Sequence, residues 1–500
     1  MSERAPGIHI AAKNAPSRIA IVCGGERVSF GELEKRISQV ARRLRDAGLG
    51  EGDPVAVLMH NSVEMFAVWN AVARIGGLVV PISYRLTAPE AAYIITDCDA
   101  RALVYDDRDA IESALPSLPH LRAAWHVSDD DLWSRPGEPW LVTPFVESTV
   151  ATMAYTSGTT GRPKGVVKRA TATASTLLVS EFFLKYWDFR PSDVHLLTGP
   201  AYHGGPGSYA QLHLMVGARL VIMPRFEALS CLQLMEEERV TTGFMVPAHF
   251  IRILEERWQD HDLSSVRLIV HAAASCPEAV KWKMFDVFGP GVLWEYYGAV
   301  EGSFSIISPG EWQVRPGSVG RPLPGVRTMI LDEQGSPVAP GEVGTIYSTG
   351  LPGWTFDYFK DPEKTAGSWH DGFFTAGDLG RMDEDGYLYI VDRRTDLIIS
   401  GGVNIYAAEI EAALIEIPAV VDAAVFGIPD EGMGQIVHAV VEVREGEQPD
   451  PAQLLHAVEG KLAKYKWPRS FEFVHELPRE PSGKVRKFEM RAARMTAESV

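Results

Sequence analysis

The run Tyr155-Thr-Ser-Gly-Thr-Thr-Gly-Arg-Pro-Lys-Gly165 constrains this chain more than any other stretch of it. It follows the apolar Val150-Ala-Thr-Met-Ala154 and opens a Gly/Pro-rich loop. Glycines let a backbone approach phosphate oxygens, hydroxyls donate to them, and Lys164 adds a point charge. Gly158 and Lys164 do not have the GxxxxGK[ST] spacing, which separates this loop from the Walker type. A surface turn rich in Thr and Gly is the bland alternative, and the length of the pattern stands against it.

Around the loop, short apolar runs alternate with amphipathic helical patterns. Ser29-Phe-Gly-Glu32 reads as a capping box, and Leu33, Ile37, Val40, Ala41 and Leu44 make one apolar stripe that Gly48 ends. Val55-Ala-Val-Leu-Met59 follows, then a helical segment near 62–75, then Gly77-Leu-Val-Val-Pro81, with a second box, Thr87-Ala-Pro-Glu90, opening the next helix. Strand, helix, strand, helix in this order predicts an α/β body with largely parallel sheets. Gly/Pro-rich loops interrupt it at 157–165, 199–207, 316–325 and 340–353, the kind of place where function gathers.

After Asp392-Arg-Arg-Thr-Asp396 the texture changes to a compact α+β set: a helix from Ala407, strands at Val420–Ile428 and Ile436–Val443, and a helix from Pro451. The expectation is a large N-terminal body over 1–392, a small mobile domain over 393–500, and a hinge near 392–396. At 500 residues, one small binding module is excluded.

The formal charge of −17 repels nucleic acid phosphates and anionic lipid, so an anionic ligand needs a local basic site. Four widely spaced cysteines, Cys23, Cys98, Cys231 and Cys276, argue against a disulfide frame or structural zinc and fit a cytoplasmic address. No run approaches the roughly 18 apolar residues of a transmembrane segment. A homodimer is compatible with the chain.

The phosphate loop resembles that of the adenylate-forming (AMP-binding) superfamily, which includes acyl-CoA synthetases, luciferases and non-ribosomal adenylation domains. Tyr296-Tyr-Gly-Ala-Val-Glu301, Thr375-Ala-Gly-Asp378, Asp392-Arg393, Ser400-Gly-Gly402 and Pro481-Ser-Gly-Lys484 follow in the family's order, so the resemblance covers nearly the full length. It implies an ATP-dependent carboxylate–CoA ligase that forms an acyl-adenylate, releases pyrophosphate and AMP, and uses Mg²⁺, with a carboxylic acid, ATP and CoA as its partners.

It also implies roles by position. Thr156, Ser157, Gly158, Thr159, Thr160, Gly161 and Lys164 would hold the phosphates, and Glu301 with Thr159 would hold Mg²⁺, a metal that prefers oxygen. Ala273, Ala274, Tyr296, Tyr297 and Gly298 would surround adenine, with Tyr297 stacking on it, while Asp378 and Arg393 would reach the ribose. Lys484 resembles the lysine that bridges the carboxylate and the α-phosphate. Gly401 and Gly402 resemble the glycines of the pantetheine tunnel, and Thr395 stands at the hinge.

Tyr202, His203, Gly204, Gly205 and Val246 are expected around the acyl group, His203 flanking its carboxylate. Gly204, Gly205, Gly207 and Ser208 carry little bulk, which predicts a roomy pocket for a medium- or long-chain fatty acid or another bulky apolar acid. Ten basic residues between Lys461 and Arg494 are read evenly as a solvated face or as an attractor of ATP and CoA phosphates.

Departures are visible too. Val300 replaces a usual Thr, Ala272 and Ala273 a common Gly-Gly, Val403 a frequent Glu, and Thr395 the usual Asp or Lys. They keep two alternatives open: an enzyme donating its acyl-adenylate to an acceptor other than CoA, and a weakly catalytic nucleotide sensor.

Overall fold

The computed structural model describes residues 7–137, 152–156, 163–170, 184–393, 396–400, 403–430, 432–447, 449–459, 461–480 and 483–496. Among them, nine strands form the largest sheet, in the order Arg321–Pro322, Ser303–Ile307, Leu293–Gly298, Leu268–His271, Thr242–Met245, Val194–Leu197, Arg219–Ile222, Ile19–Cys23 and Glu26–Ser29. The six strands from Leu293–Gly298 to Ile19–Cys23 run parallel, and antiparallel strands close both edges. A second, wholly parallel sheet orders Leu78–Ile82, Pro54–Leu58, Ala102–Tyr105 and Ala123–His126. The strands Val194–Leu197, Thr242–Met245 and Leu268–His271 are buried at every position, as strands covered on both faces must be. This is the α/β body that the alternation predicts.

The stripe on the Phe30–Asp46 helix is fully buried at Leu33, Ile37, Val40, Ala41 and Leu44. Ser29 caps it by accepting the Glu32 backbone N–H at 3.2 Å. The expected reciprocal bond from Glu32 is not made; its carboxylate instead faces Lys35 and Arg36 at 3.7 and 3.5 Å, the i+3 and i+4 cations of its own helix. The Thr87 box is complete, with the Thr87 N–H donating to Glu90 at 2.8 Å. Glu34 and Arg74 join this helix to the Val63–Arg74 helix through two buried bonds of 2.6 and 2.8 Å.

Two antiparallel sheets complete the larger body. Trp354–Tyr358, Lys164–Ala170 and Met153–Thr156 form one, and a six-stranded sheet carries Asp378–Met382 beside Leu388–Arg393. Beyond residue 396, the hairpin Ile398–Ser400 and Val403–Ile405 precedes a three-stranded sheet of Val420–Asp430, Gly434–Val443 and Ser470–Val474. The helices Ala407–Ile415 and Pro451–Val458 share a core with this sheet through Ile410, Leu414, Val425, Val441 and Leu454. No helix among the described residues is long and apolar enough to cross a membrane.

Candidate active site

In an open parallel sheet, strand directionality gathers the loops that follow the strands at one edge, and ligands bind there. The residues singled out in the sequence lie just past or at such strand ends. His203 follows Val194–Leu197, Val246 follows Thr242–Met245, Ala273 and Ala274 follow Leu268–His271, and Tyr296, Tyr297 and Gly298 finish the strand that leads to Glu301. Four adjacent strands thus bring together segments separated by up to about a hundred residues.

Alternation sends the two tyrosines to opposite faces. Tyr297 is buried, stacks on Phe304 at 4.7 Å between ring centroids, and donates from its hydroxyl to Asp378 at 2.7 Å. Asp378 is also buried and lies directly opposite Arg393 in strand register. Tyr296 donates to the Ser303 hydroxyl and borders an aromatic group on the other face that includes Trp187 and Tyr209. Tyr297 and Asp378, the tyrosine and carboxylate expected at the nucleotide, are thereby one hydrogen-bonded unit.

Ala273 and Ala274 are exposed, and Ala273 adopts a φ of +75°. That left-handed conformation costs an L-residue with a Cβ about 1–2 kcal/mol, partly offset in a comparison with glycine by the greater chain entropy glycine loses on folding. Ala273→Gly is therefore expected to stabilise the protein by about 0.5–1 kcal/mol. Urea denaturation checks it; an unchanged or lower midpoint would mean that the surrounding loop relieves the strain.

Glu301 accepts a hydrogen bond from the Tyr358 hydroxyl at 2.7 Å. Lys168 and Lys364 both feel its charge: burial pushes each ammonium below its ordinary pKa, and Glu301 opposes that shift. Lys364 lies 3.8 Å from the centre of the Tyr358 ring. Lys164 pairs with Asp361, which also caps the Pro362–Gly367 helix by accepting the Lys364 N–H at 3.0 Å. One carboxylate ringed by lysines suits a site for polyanionic phosphate. It also suits Mg²⁺, which is usually held by one or two carboxylates together with substrate phosphates.

Sequence reading missed Tyr358, Asp361, Lys168 and Lys364. Strand pairing brings in Lys168 and Tyr358, with Phe356 opposite Lys168 and Tyr358 opposite Val166, and Asp361 and Lys364 follow at the cap and in the first turns of the next helix. It also missed Asn61, whose side chain donates to the Gly199 and Met223 carbonyls at 3.0 and 3.3 Å and accepts from the Ala201 N–H at 2.8 Å. This buried amide holds the loop that presents Tyr202 and His203. The only signal in the sequence was an Asn before the helix cap Ser62.

His203 sits at the N-terminal end of the Gly204–Met215 helix, 4.6 Å from the Tyr202 ring. Desolvation, then the nearby Arg85 charge, push its pKa down to about 4, so the imidazole is neutral near pH 7. Its Nε2 is buried and makes no hydrogen bond among the described residues. Val246 is buried, and the C-terminal body reaches it: a Cβ on Gly483 would lie 3.0 Å from Val246 Cγ2 and 3.4 Å from Ala248 Cβ. Lys484 is the next residue of the chain. Ion pairs of Arg252 with Glu442 and Glu476 and of Arg444 with Glu255 also join the two bodies.

The glycine-rich segment does not open space in the way its composition predicts. A Cβ on Gly205 would lie 2.4 Å from the Phe244 ring, and one on Gly207 would lie 2.1 Å from the Ala201 carbonyl oxygen. These glycines permit close packing, and only Gly204 faces open space. The basic C-terminal stretch is likewise largely neutralised. Lys461, Lys466, Arg479, Arg486, Lys487 and Arg494 pair with Glu416, Glu409, Asp422, Glu489, Glu411 and Glu472. Lys466, Arg479, Lys487 and Arg494 are moreover largely buried against these partners, which fits neither a solvated face nor a free attractor of phosphate.

Ser157, Gly158, Thr159, Thr160, Gly161, Thr395, Gly401 and Gly402 lie outside the described residues. Thr156 and Arg393 are described as strand residues only.

Comparisons with known proteins identify the family. Residues 8–354 match the AMP-binding enzyme family and residues 409–484 the AMP-binding enzyme C-terminal domain; the chain belongs to this family of adenylate-forming enzymes. It is 34% identical to the fatty acid–[acyl-carrier-protein] ligase ScoC of Streptomyces coeruleorubidus, over 96% of this chain and 94% of that protein. It is 35% identical to an indoleacetate–CoA ligase of Aromatoleum aromaticum, over 95% of both. Among solved structures, ATP-bound MatB of Rhodopseudomonas palustris matches with a TM-score of 0.86 at 31% identity, covering 98% of this chain and 99% of that one. The anthranilate CoA ligase AuaEII in complex with anthranoyl-AMP matches with a TM-score of 0.89 at 26% identity, covering 100% and 99%.

Proposed function

We propose that this protein is an AMP-forming carboxylate–CoA ligase acting on a bulky, largely apolar acid, fatty or aryl. The observation that carries the reading is the approach of the Gly483–Lys484 loop to Val246 and Ala248. A cationic side chain delivered there meets a substrate carboxylate and an α-phosphate together, and offsets the repulsion between two anions.

In the first half-reaction a carboxylate oxygen attacks the α-phosphorus, the bond to the bridging oxygen breaks, and pyrophosphate leaves. Lys484 steadies the charge on both reactants, and Asp378 with Arg393 holds the ribose. The phosphate loop from Thr156 to Lys164 receives the pyrophosphate, with Lys168 and Lys364 adding charge on its Glu301 side. Glu301 and Thr159 would hold Mg²⁺, which would supply neutralisation of the phosphate oxygens. The unit beyond a hinge near 392–396 then rotates about Thr395 and withdraws Lys484. The Gly401–Gly402 face admits the CoA thiol, whose sulfur attacks the acyl carbon, and AMP leaves with the electrons of the broken C–O bond.

The test is pyrophosphate release from Mg-ATP across a panel of carboxylic acids, with and without CoA, the products identified by mass. Acyl-CoA with AMP is expected. Accumulation of acyl-adenylate despite CoA would move the reading to a donor with another acceptor, the chemistry named for ScoC being transfer to an acyl carrier protein. Nucleotide binding without pyrophosphate release from any acid would favour the sensor.

A further inference from the structure

We propose that one face of the Pro247–Leu254 helix is a latch for the lysine-bearing body. Arg252 and Glu255 are positioning residues that hold the Gly483–Lys484 loop over Val246 for adenylate formation and let it go for thioester formation. This rests on the ligase reading of the same site.

Helical periodicity gives this segment two faces. Pro247, Phe250 and Ile253 are buried, the last two in a core of the larger body. Ala248, Arg252 and Glu255 follow one another at i, i+4 and i+7 on the other face, with Glu255 still in helical conformation at the C-cap. All three meet the C-terminal body. The Ala248 Cβ lies 3.4 Å from where a Cβ on Gly483 would stand. Arg252 pairs with Glu442 at 3.4 Å and with Glu476 at 3.5 Å, and Glu255 accepts from Arg444 at 3.3 Å.

The partners gather at one end of the three-stranded sheet. Glu442 lies near the end of Gly434–Val443, Arg444 directly follows that strand, and Glu476 lies just past the neighbouring strand Ser470–Val474. The charges cross: a base on the helix meets two acids, and an acid one turn later meets a base. A slip of one turn in either direction would set Glu255 against Glu442 or Arg252 against Arg444. The pattern therefore favours one register of the two bodies and repels its neighbours.

One of these contacts continues to the lysine. Glu442 is only 2% exposed, accepts the Leu477 N–H at 3.0 Å and pairs with Arg479 at 3.4 Å. Arg479 in turn donates to the Gly483 carbonyl at 3.1 Å. Burial pushes the Glu442 pKa up, and the Leu477 N–H and the Arg479 and Arg252 charges oppose that rise. Through a shared buried carboxylate, Arg252 thus reaches the arginine that fixes the residue before Lys484. A rotation that withdraws Lys484 carries Glu442, Arg444 and Glu476 away with it, so these pairs hold the first arrangement alone.

The test measures the two half-reactions separately, as acid-dependent ATP–pyrophosphate exchange and as thioester formation from supplied acyl-adenylate and CoA. Arg252→Ala is expected to lower exchange by about five- to tenfold, because its partner carboxylate is buried, and Glu255→Arg by about three- to fivefold at a more exposed pair. Thioester formation should not fall in either. The double variant Glu255→Arg/Arg444→Glu restores the pair with its charges interchanged and is expected to recover most of the exchange that Glu255→Arg loses. Both of its positions are exposed, so it decides the matter if Arg252→Ala does not fold. Equal loss of both half-reactions, unchanged exchange in either single variant, or no recovery in the double variant overturns the proposal and leaves the ligase reading intact. A wild type with no exchange for any acid of the panel, or with no thioester from supplied acyl-adenylate, overturns the ligase reading itself, and this proposal with it.

Discussion

Lys484→Ala is expected to lower acid-dependent ATP–pyrophosphate exchange by about a hundred- to a thousandfold, the scale on which losing one preorganised transition-state contact acts. Thioester formation from supplied acyl-adenylate and CoA should persist. The loop that carries Lys484 is anchored independently of its side chain. The Glu480 N–H donates to the Lys484 carbonyl at 2.7 Å, and Arg479 donates to the Gly483 carbonyl at 3.1 Å while pairing with Asp422 and Glu442. Truncation at Lys484 therefore removes a charge and leaves the backbone approach to Val246 in place. Equal loss of both half-reactions would sink the division of labour, because a lysine withdrawn by domain rotation has no part in the second. Equal retention of both would place the carboxylate's cationic partner elsewhere, with the lysines beside Glu301 next in line.

The candidate site was legible in the sequence where a motif is written in consecutive residues. The phosphate loop, the segment ending in Glu301 and the lysine loop each announce themselves by glycine and charge in a fixed order. The alternation of apolar runs and capped helices was enough for the parallel sheets, whose strand ends then gather these segments. What could not be read is whatever depends on the partner across a sheet or a helix. Lys168 looks like one more polar residue after an apolar pair until the pairing with Phe356 sets it on the Tyr358 and Glu301 side. Asn61 looks like a helix-capping neighbour until it clamps Gly199 and Ala201, some 140 residues away. Gly205 and Gly207 illustrate the opposite failure. Their composition reads as empty volume, but a missing side chain marks space only where nothing else has moved in. Here a phenylalanine ring and a carbonyl occupy it.

Glu301→Gln carries the second large effect, because it separates shape from charge at the phosphate end of the site. The amide keeps an oxygen to accept from Tyr358, so the 2.7 Å bond and the packing around it have an isosteric replacement. The negative charge that favours the protonated forms of Lys168 and Lys364, and that would give a hard cation its carboxylate, is lost. Pyrophosphate release should fall about a hundredfold or more at fixed Mg²⁺, with higher Mg²⁺ restoring only part of it. Calorimetry supplies a readout independent of turnover: affinity for Mg-ATP should drop, whereas metal-free ATP, repelled by the wild-type carboxylate, should bind the variant no more weakly. A parallel loss for both nucleotide forms would mean that Glu301 acts by holding Tyr358 and the neighbouring backbone. Unchanged Mg-ATP affinity with full activity would move the metal to other oxygens and leave Glu301 as the counter-charge that keeps two desolvated lysines in place. The distinction matters because Val300 leaves this segment without the hydroxyl that similar enzymes place beside their glutamate. Glu301 then acts without that neighbouring hydroxyl, and the variant's loss should be correspondingly steep.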